Sequence, residues 1–264
     1  MTRDESAPER RVLLFTLAVV TFTPILLLLY RASATSWQYP ALLPSQLVGE
    51  RLSRLLFTPT VWSALGASVL LASATGMLST AFAFVASRAL ARSTPTVRRI
   101  AAAAAFLPVI APPIALGVGV QIFALRAGLA GGFAGVLLAH LVPASGYLTL
   151  FFLGVFQAYD FAMEDEARTL GASSVQRFVR ITLPVLRPRL IEAMLLGALV
   201  SWGQVALTLL VGGGVVRTLP VELLAFVRAG DDQLAAAAAI ILTVPPALAL
   251  GLLQGGVRQS GAAA

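Results

Sequence analysis

The sequence contains no cysteine and no lysine, and its one histidine is His140. Without cysteine there is no thiolate nucleophile and no disulfide, and with one histidine neither a zinc cluster of the usual kind nor a convincing hydrolytic triad can be assembled. Without lysine there is no G-x-x-x-x-G-K-[ST] loop, so the chain cannot cradle ATP in the P-loop manner. It is read as a non-enzyme with no cofactor or metal of its own, and any ATPase is expected in a separate subunit. Charge is scarce too, at 12% of 264 residues.

What fills the chain is apolar surface. Hydrophobic residues make up 58% and mean hydropathy is +0.87, well above the roughly half-apolar composition of a soluble domain. The fold class expected is all-α and polytopic, with six transmembrane helices. A net charge of +7 would suggest nucleic acid in a soluble protein. Here the arginines punctuate the apolar runs, as topology signals do, and the expected surroundings are membrane lipid.

Residues 12–30 form the first apolar run, about 28 Å long as a helix and so able to cross a hydrocarbon core. Ala32-Ser33-Ala34 mimics a signal-peptidase site, yet the run is too long for a cleaved signal and reads as a retained anchor. A polar connection follows, with Trp37, Tyr39, Pro40 and Pro44. Further spans are expected near 64–86, 101–125, 133–157, 190–211 and 234–253, the third kinked or partly broken by Pro108, Pro112 and Pro113. A short amphipathic helix is expected over 220–228 in the outer loop. Counting arginines by this scheme puts 13 inside and 6 outside, with both termini cytoplasmic in the inner membrane. The division expected is 1–61 for the first helix and outer loop, 62–256 for the transmembrane domain with a cytoplasmic loop at 158–189, and 257–264 for a tail.

That loop is the longest polar island. Met163, Ala167 and Leu170 fall at i, i+4 and i+7, with Glu164 placed four residues before Arg168 on the wet face of a short helix. Gly171 interrupts the pattern where a left-handed residue is wanted. Ser173 and Gln176 have capping-box spacing, and a second short helix is expected to stop at Pro184. Two helices joined by a glycine between spans make an elbow suited to being gripped by another protein.

The run Asp165-Glu166-Ala167, three residues, Gly171, nine residues, Ile181, one residue, Leu183-Pro184 resembles the EAA loop of permease subunits in binding-protein-dependent ABC importers, the MetI-like family. Ala172 and Phe178 also fall at the family spacing, and Asp165 and Glu166 stand where the family usually has glutamate and alanine. The resemblance covers roughly residues 62–254. It implies that the first elbow helix docks on an ATP-binding subunit, with Asp165 facing a basic group there and Gly171 permitting the bend. It also implies a second permease, identical or sister, and an external solute-binding protein as partners. The stretches 217–221 and 228–232 more loosely resemble the polyamine, thiamine and iron branch.

Within the fifth span, Gly197, Ser201, Gln204 and Thr208 share one face of a continuous helix. The face reads either as a lining of the translocation path, with Gln204 foremost, or as a close helix contact. Ser68, Ala72, Thr75 and Ser79 form a similar face in the second span, better read as packing. His140 reads as a packing residue or, less readily, a path residue. The alternatives from other classes are a secondary transporter or channel and a non-transporting scaffold; the first would need ionisable coupling residues that the spans, apart from His140 and Glu192, lack.

Overall fold

The computed structural model describes residues 6–35, 46–47 and 58–261. Trp37, Tyr39, Pro40 and Pro44 lie outside the described residues. The helices are α1 (Ser6–Ser33), α2 (Pro59–Ala91), α3 (Pro95–Ile110), α4 (Pro113–Arg126), α5 (Phe133–Ala158), α6 (Ala162–Thr169), α7 (Ser174–Arg177), α8 (Leu183–Trp202), α9 (Ala206–Gly212), α10 (Leu219–Arg228) and α11 (Asp232–Gly261). The β structure among the described residues is one two-residue antiparallel pairing, Ala34 with Leu47 and Thr35 with Gln46. Among the described residues, four helical stretches are long and apolar enough to span a membrane: Arg10–Ser33, Pro59–Ala91, Phe133–Ala158 and Asp232–Ala249. Two bent pairs, α3 with α4 and α7–α8 with α9, bring the number to six if each pair is one span.

Two compact units emerge. One comprises Met1–Ser63 with Glu222–Pro245, and inside it Arg31 pairs with Asp232 while the Gln233 amide donates to the Ala34 carbonyl. The other, Ala64–Val221 with Pro246–Ala264, carries everything that follows.

Much of α2 is built inside out relative to a soluble helix. Its buried positions include Ser68, Ala72, Thr75, Ser79, Thr80, Ala83 and Ser87, all small, while Leu70, Met77, Phe82 and Val85 face outward at 58–68% exposure. Lipid removes any penalty for large apolar side chains outside, and small residues inside let backbones approach. Gly76 shows how closely: a Cβ there would lie 2.5 Å from the Met194 carbonyl oxygen and 3.1 Å from the Ala198 nitrogen, both backbone atoms of α8. Gly76→Val is therefore expected to push α2 off α8 and to lower the melting temperature of the purified chain, at a cost of about 2–3 kcal/mol. A melting curve matching that of the unaltered protein would contradict this crossing. The expected small face of the second span is thus a packing seam; Ser68 accepts the Leu219 N–H at 2.8 Å, and Ser87 reaches the Thr149 carbonyl at 3.1 Å.

Two apolar clusters hold the unit. Phe84, Leu148, Phe152, Phe156, Leu186 and Ala193 tie α2, α5 and α8 together, with Phe84 edge-on to Phe152 at 5.5 Å and to Phe156 at 5.3 Å. Leu71, Ala124, Val136, Ala139, Leu207 and Val211 tie α2, α4, α5 and α9.

Prolines place the first break. Ala111 and Pro112 are extended (ψ 134° and 131°), as a residue preceding proline prefers, and Pro113 then starts α4 where a missing N–H costs nothing. The result is a 103° bend at a break between two helices, the broken form of the kinked or partly broken span expected from sequence. The second break corrects an expectation. The fifth span is not one helix: it stops at Trp202, turns through Gly203–Val205 and resumes as α9 at 66°. Gly197, Ser201, Gln204 and Thr208 consequently do not share one continuous helical face.

Candidate functional site

The elbow forms because its local signals agree. Helix α6 ends in a left-handed Gly171 (φ 85°), with Gly171 N–H donating to the Arg168 carbonyl and Ala172 N–H to the Ala167 carbonyl, the paired bonds of a Schellman close. The capping box also forms: the Gln176 N–H reaches the Ser173 hydroxyl, and the Ser173 N–H reaches the Gln176 side chain at 2.8 Å.

Beyond Arg177 the chain departs from expectation. The second elbow helix does not stop at Pro184. A π-helical turn, Phe178–Thr182, carries it straight into α8, with the Leu183 N–H donating to the Phe178 carbonyl five residues back. Pro184 sits in the first turn of α8, where it is tolerated without an N–H to give. The widened turn has a consequence for geometry, since it brings Thr182 round to face α6.

What Thr182 faces is Glu164, whose place differs from the one expected. Glu164 is not on a wet face beside Arg168; it is 1% exposed. The Thr182 and Tyr159 hydroxyls donate to Oε1 at 2.8 and 2.9 Å, and the Arg88 guanidinium donates to Oε2 at 2.6 Å. Arg92 Nη2 stands 3.5 Å from the same oxygen, and its guanidinium lies over the Phe161 ring at 4.7 Å. One carboxylate therefore joins the end of α2, the end of α5, α6 and the π turn. Burial alone would raise the Glu164 pKa; the Thr182 and Tyr159 hydrogen bonds and the Arg88 and Arg92 charges outweigh it, and the net direction is down. Tyr159 is shifted up, by burial first and then by its hydrogen bond to Glu164 and that carboxylate's charge, so it remains a donor at neutral pH.

The residues expected to couple the elbow lie on this scaffold. Asp165 is exposed, 3.9 Å from Arg92. Glu166, Gly171 and Pro184 are also exposed, Leu183 is at the margin at 36%, and Ala167, Ala172 and Ile181 are half-buried. Met163, Leu170, Val175 and Val179 are exposed at 51%, 88%, 71% and 51%, an apolar strip on the outside of the elbow. The expected apolar face thus exists, but it points away from the chain's own core.

Ser201 and Thr208 meet elsewhere. Both are buried, and both bond His140 of α5, through Nδ1 at 2.8 Å and Nε2 at 2.9 Å. The Thr208 hydroxyl gives its proton to the Gln204 carbonyl at 2.7 Å, so it accepts from Nε2–H; in the neutral tautomer this leaves Nδ1 to accept from the Ser201 hydroxyl. The imidazole thus bonds residues on both sides of the helix break. Gln204, within the break, is half-buried. Sequence reasoning treated His140 apart from Ser201 and Thr208, and no spacing signal links residues 61 and 68 positions apart.

Residues 79–260 match the family described as the binding-protein-dependent transport system inner membrane component, and the chain belongs to that family. It is a multi-pass permease subunit of an ABC importer. It is 30% identical over 213 residues to the molybdenum transport system permease protein ModB of Mycobacterium bovis, covering 75% of this chain and 80% of that one. It is 28% identical over 139 residues to the spermidine/putrescine transport system permease protein PotC of Haemophilus influenzae, covering 53% and 54% respectively. A solved bacterial ABC transporter for import of the acidic polysaccharide alginate shares the fold, with a TM-score of 0.69 at 16% identity over 97% of this chain and 98% of that one.

Proposed function

We propose that this permease subunit couples to a separate ATP-hydrolysing subunit through the elbow, and that it lines the path of a small solute delivered by an external binding protein to a pair of permeases. The observation that carries the coupling is the exposed strip Met163, Leu170, Val175 and Val179 on an elbow whose orientation is fixed from behind by Glu164. A helical pair that turns its apolar side outward, with Asp165 and Glu166 beside it, offers a partner both buried area and charge. Closure of two ATP-binding subunits would move two such elbows, and the rigid link to α8 through the π turn would carry that motion into the broken fifth span.

For the path, Gln204 is the residue we assign. It is half-buried at a break where backbone and amide need polar company, whereas Ser201 and Thr208 are occupied by His140 inside the subunit. The elbow is placed in the cytoplasm with both termini, following the arginine distribution. Relatives named for molybdenum and for spermidine/putrescine share this scaffold while carrying unlike cargo, so cargo choice is assigned to the binding protein.

Asp165→Arg and Gly171→Pro test the coupling. The first reverses the charge presented to the partner. The second demands a φ near −65° where the chain has +85° and removes the N–H bonded to Arg168. Both variants are expected to insert in the membrane at normal levels and to lose co-purification of the ATPase and solute uptake. Normal uptake by both would sink the assignment.

A further inference from the structure

Beside the elbow lies an open cleft of about 550 Å³ between the end of α2 and α7. Its walls divide by chemistry. Phe84, Val85 and Val175 make an apolar side, and Arg88, Arg92 and Arg177 converge on the other, with Glu164 the one carboxylate in the lining. Three guanidiniums against Glu164 and the Asp165 carboxylate 3.9 Å from Arg92 leave this corner with a net charge of one positive unit. Each guanidinium has five N–H donors. Arg88 directs Nη2 to Glu164, Arg92 shares Nη2 between Glu164 and Asp165, and Arg177 directs Nη2 to the Ser174 hydroxyl at 3.2 Å. The Arg177 Nε is buried and has no hydrogen-bond partner. The donors outnumber the acceptors that the chain supplies, and the unmet Arg177 Nε adds one more.

We propose that this cleft binds a phosphate group, and that the phosphate is the headgroup of an anionic membrane phospholipid. Tetrahedral oxyanions match the guanidinium fork, which donates two parallel N–H bonds. The apolar wall selects the source. A free oxyanion gains nothing from Phe84 and Val85, while a lipid whose phosphate sits among the arginines can lay its acyl chain along Val85, which is 68% exposed at the end of the apolar run of α2. Basic pockets where helices leave the bilayer are the setting in which anionic headgroups are held. A lipid bound here touches α7 and the Arg88 and Arg92 pair that fastens Glu164, so it braces the elbow from its membrane side. Val175 borders both the cleft and the outward strip, while Met163, Leu170 and Val179 lie outside the lining, so the lipid site stands without an ATPase docked on the elbow.

The experiment uses the full chain, delipidated in detergent and titrated with phosphatidylglycerol under native mass spectrometry. Arg177→Gln removes the guanidinium that does not contact Glu164; Arg99→Gln, in the α2–α3 region but outside the cleft, controls for general surface charge. One phosphatidylglycerol is expected to remain on the unaltered chain and on Arg99→Gln, and to bind about tenfold more weakly to Arg177→Gln, in keeping with the loss of a charge-assisted hydrogen bond. Phosphatidylcholine, whose phosphate carries a compensating choline, is expected to bind more weakly to all three. Equal retention by Arg177→Gln and the unaltered chain would overturn the site. Displacement of the lipid by inorganic phosphate at the concentration at which soluble phosphatidylglycerol displaces it would overturn the lipid as source. Loss of the bound lipid when the ATPase subunit is added would assign the cleft to that partner instead.

Discussion

Glu164→Ala is expected to unfasten the elbow from the transmembrane bundle. The substitution strands the Arg88 guanidinium, about a quarter exposed, and leaves the Thr182 and Tyr159 hydroxyls without their acceptor. Removing one partner of a buried charge pair costs about 3–5 kcal/mol, and the partial hydration of Arg88 brings the expectation to about 2–4 kcal/mol. Glu164→Gln keeps the shape and one acceptor oxygen, so it should fall between. Because the chain has no lysine, trypsin cuts it at arginine alone, and Arg168, Arg177 and Arg180 all lie in the elbow. Cleavage there should accelerate in the order unaltered, Gln, Ala, alongside a drop in melting temperature. Unchanged proteolysis in Glu164→Ala would show that Glu164 does not hold the elbow.

Acidification supplies an independent reading of the same contact. The folded pKa of Glu164 is lowered, so its contribution is present above the ordinary carboxylate value of about 4.3 and is lost as pH falls through the folded value. The unaltered elbow should therefore keep its resistance to protease from neutral pH down to about 4.3 and lose it below. A protease active in acid should detect that loss. Glu164→Gln, having no proton to gain, should show a flat profile over the same interval.

The sequence carries the elbow's outline well because each of its signals is local. Gly171 closes α6, Ser173 and Gln176 cap α7, and the apolar runs mark the spans; these depend on neighbours within a few residues. Glu164 was misplaced because its partners come from 5 to 76 positions away, and an i, i+4 arginine on its own helix offered a nearer, weaker explanation. The end of the second elbow helix failed for a different reason. Proline stops a helix by removing an N–H and crowding the preceding turn, yet a π turn just before it and a first-turn position in the next segment remove both objections. The bent spans were half legible. Three prolines announced the α3–α4 break, whereas the break at Gly203–Val205 has one glycine and no proline, and is held by a histidine on another helix.

That histidine is where the second large effect is expected. His140→Phe keeps an aromatic ring, one ring atom larger, and removes both nitrogens, leaving the Ser201 hydroxyl, 3% exposed, without its acceptor and the Thr208 oxygen without its donor. Each stranded group costs about 1–3 kcal/mol, so the variant should lose about 2–6 kcal/mol in thermal unfolding. The larger ring also crowds a site that is 1% exposed, so the Phe variant alone does not separate lost hydrogen bonds from packing. His140→Gln separates the two accounts, because its amide can donate to Thr208 and accept from Ser201 as the neutral imidazole does. It should recover most of the loss, while a packing role would leave it no better than Phe. The helix break can be followed directly. With no native cysteine, Gln204→Cys creates a unique thiol within the break, and its alkylation rate reports how firmly Ser201 and Thr208 are held on either side. Combined with His140→Phe, labelling at 204 should quicken several-fold; combined with His140→Gln, it should return toward the rate with histidine. Equal rates in all three backgrounds would mean that the 66° bend is fixed by the packing of Leu207 and Val211 against α5. In that case the imidazole would merely fill space between α5 and the broken span.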